Sequence, residues 1–447
     1  PTEMKPLVAI IGRPNVGKST FFNVIAGQRI AIVEDTPGVT RDRIYADTVW
    51  NGREFTLIDT GGIDMESEDV FLSQMRRQAQ IAIDTADLIC FFTDARQGLT
   101  PQDEEIADIL RRSMKPVLLV INKLDYDGLS SALYEAYALG LGEPIGISST
   151  NMLGLGDLLD EIVKLLPPET ADEAEHSGII NLAIVGRPNV GKSSLVNRLL
   201  GEERVMVSDI PGTTRDAVDT MFEHEDGSVY NIIDTAGIRR KRSIEEQSVE
   251  RYSVLRSIAA IRRCDVAILM IDAQDGVTEQ DMRIAGLIRD EGKAVLVAVN
   301  KWDALDKETG TLETYRMEVL DKLKFISYAP VLFISAKTGQ RVQQVWETVS
   351  LVYAQAGKRI PTGVLNELIG EAQLALQPPM EGGRRLKIFY ATQLGSFPPS
   401  FILFVNDTQL LHFAYERYLE NQMRKAFDFS GTPIRFVLRE RGKEDAQ

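Results

Sequence analysis

The sequence predicts an α/β chain: two tandem domains with mostly parallel sheets, followed by a small α+β module. Three observations carry this. The octapeptide GRPNVGKS occurs twice, at residues 12–19 and 186–193. Around each copy, short continuous apolar runs alternate with helix-length amphipathic segments, as parallel strands covered on both faces require. The repetition stops after Gln355, where a different pattern begins. A chain of 447 residues exceeds one ordinary core, and its 44% hydrophobic and 26% charged content is that of a globular protein.

The repeat is domain-sized. LVAIIGRPNVGKSTFFNVIAG, from Leu7, aligns with NLAIVGRPNVGKSSLVNRLLG, from Asn181. PGVTRD at Pro37 then matches PGTTRD at Pro211, LIDTGGI matches IIDTAGI, VINKLD matches AVNKWD, and ISST at Ile147 matches ISAK at Ile334. Small insertions between motifs distinguish two domain copies from a short solenoid repeat. Expected strands are LVAII, FTLID, LICFFTD, PVLLVIN and PIGIS in the first copy, and LAIV, YNIID, VAILMID, AVLVAVN and PVLFIS in the second. In such a sheet the chemistry sits at the carboxyl ends of the strands.

The boundaries that follow are 4–166 for the first domain and 167–179 for an acidic, proline-bearing linker. The second domain takes 180–356, the C-terminal module 357–442 and a tail 443–447. In the module, TGVLNELIGEAQLALQ has helical spacing, LKIFYATQ and SFILFVND read as strands around LGSFPP, LHFAYERYLENQMRKAF as an amphipathic helix, and TPIRFVLRE as a strand. The order is α-β-β-α-β.

Composition narrows the function. The net charge of −15 argues against a general nucleic-acid coat protein, although the tail module has a slight basic excess. No run approaches the ~18 apolar residues of a membrane span. The start PTEMKPLVAIIG lacks a signal-peptide pattern, and Pro1–Glu3 reads as an extraneous leader before a start at Met4. Cys90 and Cys264 read as reduced core thiols, and His176, His224 and His412 are too scattered for a metal cluster.

G-x-x-x-x-G-K-S between a strand and a helix is a phosphate loop, whose backbone N–H groups cradle phosphates. Here it comprises Gly12, Arg13, Pro14, Asn15, Val16, Gly17, Lys18 and Ser19, and again Gly186, Arg187, Pro188, Asn189, Val190, Gly191, Lys192 and Ser193. The lysines bring charge to the β- and γ-phosphates and the serines a hydroxyl to Mg2+. Asp59, Thr60, Gly61 and Gly62 match Asp234, Thr235, Ala236 and Gly237; the aspartate ends a strand and can hold Mg2+, and the last glycine offers its N–H to the γ-phosphate. Asn122, Lys123, Leu124 and Asp125 match Asn300, Lys301, Trp302 and Asp303. One carboxylate there accepts both N1–H and the N2 amino group of guanine, a donor pair that adenine lacks. Ser148 and Ser149, and Ser335, Ala336 and Lys337, supply a backbone N–H for guanine O6. Thr40 and Thr214 are the switch hydroxyls expected to close on Mg2+, while Arg41 and Arg215 read as surface partners of Asp42 and Asp216.

With these motifs the chain resembles the double-Era-like bacterial GTPases over nearly its whole length. The resemblance implies a cytoplasmic, monomeric GTPase, slow on its own, that acts in maturation of the large ribosomal subunit with ribosomal RNA and protein as partners. It also implies a KH-like tail, although EGGRR at Glu381 lacks the G-x-x-G spacing of an RNA clamp. Ile63 and Ile238 stand where a water-orienting glutamine would be in other GTPases. Asn15 and Asn189 look like the K+-binding asparagines of related enzymes, the alternative being side chains that cap their own turn. The basic run IRRKRS at 238–243 fits RNA phosphate contact or a solvated loop equally well. Competing readings are a small-molecule phosphoryl-transfer enzyme, a GTPase working with a tRNA-modifying partner, and one copy acting as a non-hydrolysing binding module.

Overall fold

A computed structural model describes residues 5–27, 45–60, 71–124, 131–167, 179–202, 219–224, 227–235, 249–305, 311–381 and 383–440. Thr40, Arg41, Asp42, Gly61, Gly62, Ile63, Asp125, Thr214, Arg215, Asp216, Ala236, Gly237 and Ile238 lie outside the described residues, as do the basic run 238–243 and most of the linker.

The first domain runs β1 (Leu7–Gly12), α1 (Lys18–Gly27), β2 (Tyr45–Trp50), β3 (Arg53–Asp59), α2 (Phe71–Thr85), β4 (Leu88–Asp94), α3 (Pro101–Arg112), β5 (Val117–Asn122), α4 (Ser131–Ala136), β6 (Ile145–Gly146) and α5 (Leu155–Leu165). The second repeats it as β7 (Ile179–Val185), α6 (Lys192–Glu202), β8 (Thr220–Glu223), β9 (Val229–Ile232), α7 (Val249–Arg263), β10 (Val266–Asp272), α8 (Glu279–Asp290), β11 (Ala294–Asn300), α9 (Thr311–Lys322), β12 (Val331–Phe333) and α10 (Gln343–Ala356). Strand order is β2-β3-β1-β4-β5-β6 in one sheet and β8-β9-β7-β10-β11-β12 in the other, the same arrangement twice. All neighbours are parallel except the edge pairs β2–β3 and β8–β9.

Those antiparallel edges, YADTVW and TMFE, are absent from the sequence expectations. An edge strand half open to solvent carries no continuous apolar run, so periodicity alone does not reveal it. The inner strands do follow the expected pattern. Along β10, Val266, Ile268 and Met270 enter one core while Ala267, Leu269 and Ile271 enter the other. Along β11, Leu296 and Ala298 alternate in the same way with Val297 and Val299. Full burial on both faces is what fixes strands of this composition at the centre of a covered sheet.

The C-terminal module contains α11 (Thr362–Ala375), a short hairpin β13 (Met380–Glu381) and β14 (Arg384–Arg385), then β15 (Ile388–Gly395), β16 (Ser400–Val405), α12 (Phe413–Phe427) and β17 (Arg435–Glu440). The hairpin is an addition to the expected order, and Glu381 and Arg384 of EGGRR pair across it. The three longer strands pair in sequence order, β15–β16 antiparallel and β16–β17 parallel. Leu365 and Ile369 of α11 and Leu419 and Met423 of α12 close its core against Ala391, Phe401 and Leu403.

The module and the second domain belong to one compact unit. The Val295 N–H at the start of β11 donates to Gly431 O at 2.7 Å, and the Gly431 N–H donates to Tyr328 O at 2.8 Å. The Arg424 guanidinium lies 4.5 Å from the Tyr328 ring centroid. Arg435 donates to Asp290 O at 2.9 Å, at the C-terminal end of α8 where a cation is favoured.

Candidate functional site

Each phosphate loop begins where a central strand ends. Gly12 and Gly17 have φ of +147° and +91°, and a Cβ on them would stand 2.4 Å from Phe92 O and 2.1 Å from Asn122 Nδ2. Gly186 and Gly191 repeat this against Met270 O at 2.6 Å and Asn300 Nδ2 at 2.2 Å. Only glycine allows the loop to turn this tightly against its neighbours. Asn15 and Asn189 share a left-handed conformation, with φ of 64° and 65°.

Lys18 folds back over its loop and donates to Gly12 O at 2.7 Å and Arg13 O at 2.6 Å. Lys192 makes the same two bonds, both at 2.6 Å, to Gly186 O and Arg187 O. Burial, helped by the nearby charge of Arg13, pulls the Lys18 ammonium down to about 8 despite the opposing charge of Asp59. The Ser19 hydroxyl donates to Asp59 at 2.8 Å. Two hard oxygen donors thus stand side by side at the loop's end, a pair that fits Mg2+.

The asparagines expected to mark the base site tie two loops together. Asn122 donates to Val16 O at 2.8 Å and accepts from the Ser149 N–H at 3.0 Å and hydroxyl at 3.1 Å. Asn300 donates to Val190 O at 2.8 Å and accepts from the Ala336 N–H at 2.9 Å. The Ser148 and Ser335 N–H groups bond to Leu153 O and Gln340 O. The N–H of the first residue of each expected O6 loop therefore holds the loop's own shape, while that of the second is taken by Asn122 or Asn300. Asp303 sits exposed in a 3-10 turn after β11.

Sequence reasoning missed a second layer. Lys123 donates to Asp94 at 2.6 Å and Lys301 to Asp272, so both lysines are engaged by the last residue of β4 or β10. Burial alone would raise the Asp94 carboxyl, yet the Lys123 hydrogen bond and the Arg96 and Gln97 N–H groups bring it below its usual value. The turn that follows leads to a capping box, Thr100 with Asp103 or Thr278 with Asp281. Its aspartate reaches back to the phosphate loop. Arg13 Nε meets both Asp103 oxygens at 2.9 and 3.0 Å, and its other nitrogens reach Gln97 at 3.1 Å and Gly98 O at 3.2 Å. In the second copy Arg187 leans on the exposed Asp275 at 2.5 Å, and its Nε stays 3.8 Å from Asp281. Among the described residues Arg187 Nε and Asp281 Oδ1 have no hydrogen-bond partner. The signal was available: D-A-x-x-G-x-T-x-Q-D begins at both Asp94 and Asp272.

Two sheets of one strand order, each with a phosphate loop clamped by an asparagine from the end of the strand two places away, define a GTPase-type protein with two phosphate-loop domains. Residues 7–123 and 181–301 match a family described as 50S ribosome-binding GTPase, and residues 359–439 match the KH-domain-like C-terminal domain of EngA bacterial GTPase enzymes. The chain belongs to the GTPase Der family. It is 58% identical to GTPase Der of Acetivibrio thermocellus, over 98% of this chain and 100% of that protein. GTPase Der of Ruminiclostridium cellulolyticum is also 58% identical, over 99% and 100%. Among solved structures, Era in complex with MgGDPNP and a piece of 16S ribosomal RNA shares 22% identity, over 59% of this chain and 92% of that one, at a TM-score of 0.31. The chain is a GTPase, its tail is KH-like, and no helix among the described residues is long and apolar enough to cross a membrane.

Proposed function

We propose that the chain is a cytoplasmic, monomeric assembly factor for the large ribosomal subunit, switched by two GTP sites. The observation that carries this is the match of both G domains to a family described by its binding to the 50S ribosome. Two G domains at 4–166 and 180–356, joined by the 167–179 linker, and the KH-like module at 357–442 would set one geometry from two nucleotide states. The phosphate loops hold the phosphates, Asp125 and Asp303 read the guanine edge, and Gly62 and Gly237 meet the γ-phosphate. Mg2+ would be held by Ser19, Asp59 and Thr40, and by Ser193, Asp234 and Thr214, supplying charge against the phosphates. Asn15 and Asn189 offer amide oxygens to K+ at the loop tips. Neither Ile63 nor Ile238 can orient water, so stimulation by K+ and by the ribosomal partner takes the place of that glutamine.

The test is co-sedimentation of the full chain with purified large-subunit particles. Binding should be stronger with a non-hydrolysable GTP analogue than with GDP, and K+ should accelerate hydrolysis over Na+. Equal sedimentation in the two nucleotide states would remove the switch reading.

A further inference from the structure

The two copies hold their Mg2+-side aspartates in different backbone states. In the first, β3 runs through Asp59, which pairs in the ladder with Ile10, and Thr60 caps the strand through Ile10 O at 2.7 Å. In the second, the ladder ends at Ile232 opposite Leu182. Asp234 lies in a turn with φ of +58°, and its N–H donates to the Asp219 carboxylate at 2.9 Å. The other Asp219 oxygen is paired with Arg263, at the end of α7, and the Asp219 side chain is 8% exposed. The Thr235 hydroxyl lies 2.8 Å from that of Thr220, the residue after Asp219.

Among the described residues this contact has no counterpart in the first copy, and the register shows why. Thr220 pairs with Ile232 as Ala46 pairs with Leu57, so Asp219 corresponds to Tyr45. The Asp265 carboxylate accepts from the Asn181 N–H as Asp87 accepts from Leu7, so Arg263 corresponds to Thr85. Neither Tyr45 nor Thr85 can supply an anionic acceptor or its cation.

We propose that Asp219, held by Arg263, is a positioning residue that keeps Asp234 in its turn and biases the second site toward the diphosphate, a bias the first site lacks. Taking up the extended conformation of Asp59 requires the Asp234 φ to become negative, which withdraws its N–H from a charged acceptor. That cost falls on the triphosphate with Mg2+, which engages this aspartate, more than on GDP, which rests mainly on the phosphate loop and the base loop. The proposal rests on the reading of Asp234 as the equivalent of Asp59.

The test uses the full chain with the first site silenced by Lys18→Ala, and compares affinities for fluorescent GDP and a fluorescent non-hydrolysable GTP analogue at saturating Mg2+. Asp219→Ala should raise the ratio of analogue to GDP affinity about tenfold, the order expected for one charge-assisted hydrogen bond. Asp219→Asn keeps an acceptor and should raise it less. A ratio unchanged in Asp219→Ala while GDP still binds would overturn the proposal. Failure of the Lys18→Ala parent to bind either nucleotide would instead overturn the reading of the second site. Should Asp219→Ala not fold, Tyr45→Asp with Thr85→Arg, in a Lys192→Ala chain, decides: a lowered ratio at the first site supports the proposal and an unchanged one overturns it.

Discussion

A buried lysine whose ammonium is destabilised before its ligand arrives leaves a measurable trace. Lys18 is 5% exposed, and burial draws its pKa to about 8 from the ordinary 10.5. A diphosphate brought against it restores the charged form, so between about pH 8 and 10.5 binding at the first site takes up a proton. The sign for folding runs the other way: the ligand-free fold binds fewer protons than the unfolded chain in that window, so its stability rises with pH there. GDP affinity at the first site should therefore weaken as pH climbs above 8. Titration calorimetry near pH 8.5, in two buffers of different ionisation enthalpy, should show net proton uptake. Lys18→Arg, which stays protonated, should abolish it. Uptake that survives Lys18→Arg would assign the proton to another group.

Between strand and helix, the repeated D-A-x-x-G-x-T-x-Q-D turn decides how firmly each phosphate loop is braced. Asp103 is fully buried against Arg13, so Asp103→Ala strands a buried guanidinium and should cost the first domain about 4 kcal/mol. Asp103→Asn keeps the cap of α3 and should cost less. Asp281→Ala removes chiefly a helix cap, because Arg187 already leans on Asp275, and should cost the second domain about 1 kcal/mol. Urea titrations followed by hydrogen exchange in the strands of each sheet would separate the two, and equal costs would contradict the difference in geometry. This element also marks where the sequence became hard to read. The inner strands and the loop glycines were legible because full burial and forced backbone turns leave apolar runs and G-x-x-x-x-G-K-S. The edge strands β2 and β8 were not, since one open side permits polar residues. The strand end at Asp234 was hidden too: IIDTAGI matches LIDTGGI, and the difference comes from Asp219 and Arg263, both distant in sequence.

Across the whole molecule, the KH-like module and the second G domain share a joint that should make them unfold together. Gly431 sits at its centre with φ of +74°, and a Cβ there would stand 2.2 Å from Val352 Cγ1 and 3.0 Å from Val295 O. Its carbonyl receives the N–H of Val295, the second residue of β11, whose far end carries Asn300. Around it the Phe429 N–H donates to Gln355 at 3.1 Å, Lys358 donates to Phe427 O at 2.6 Å, and Phe397 packs 4.9 Å from Tyr353. Apolar contact and backbone hydrogen bonds at one seam couple the two folding units, in the way a shared core does within a domain. Gly431→Ala must adopt a left-handed conformation and displace Val352 or the backbone of β11, so both bonds through residue 431 should be lost. In scanning calorimetry the unsubstituted chain should unfold the second domain and the module in one transition, which GDP bound at Asn300's end of β11 shifts as a whole. In Gly431→Ala that transition should split, with the module melting earlier and no longer responding to GDP. A single GDP-responsive transition in the variant would mean that the seam carries no coupling and that the module is held by its own core alone.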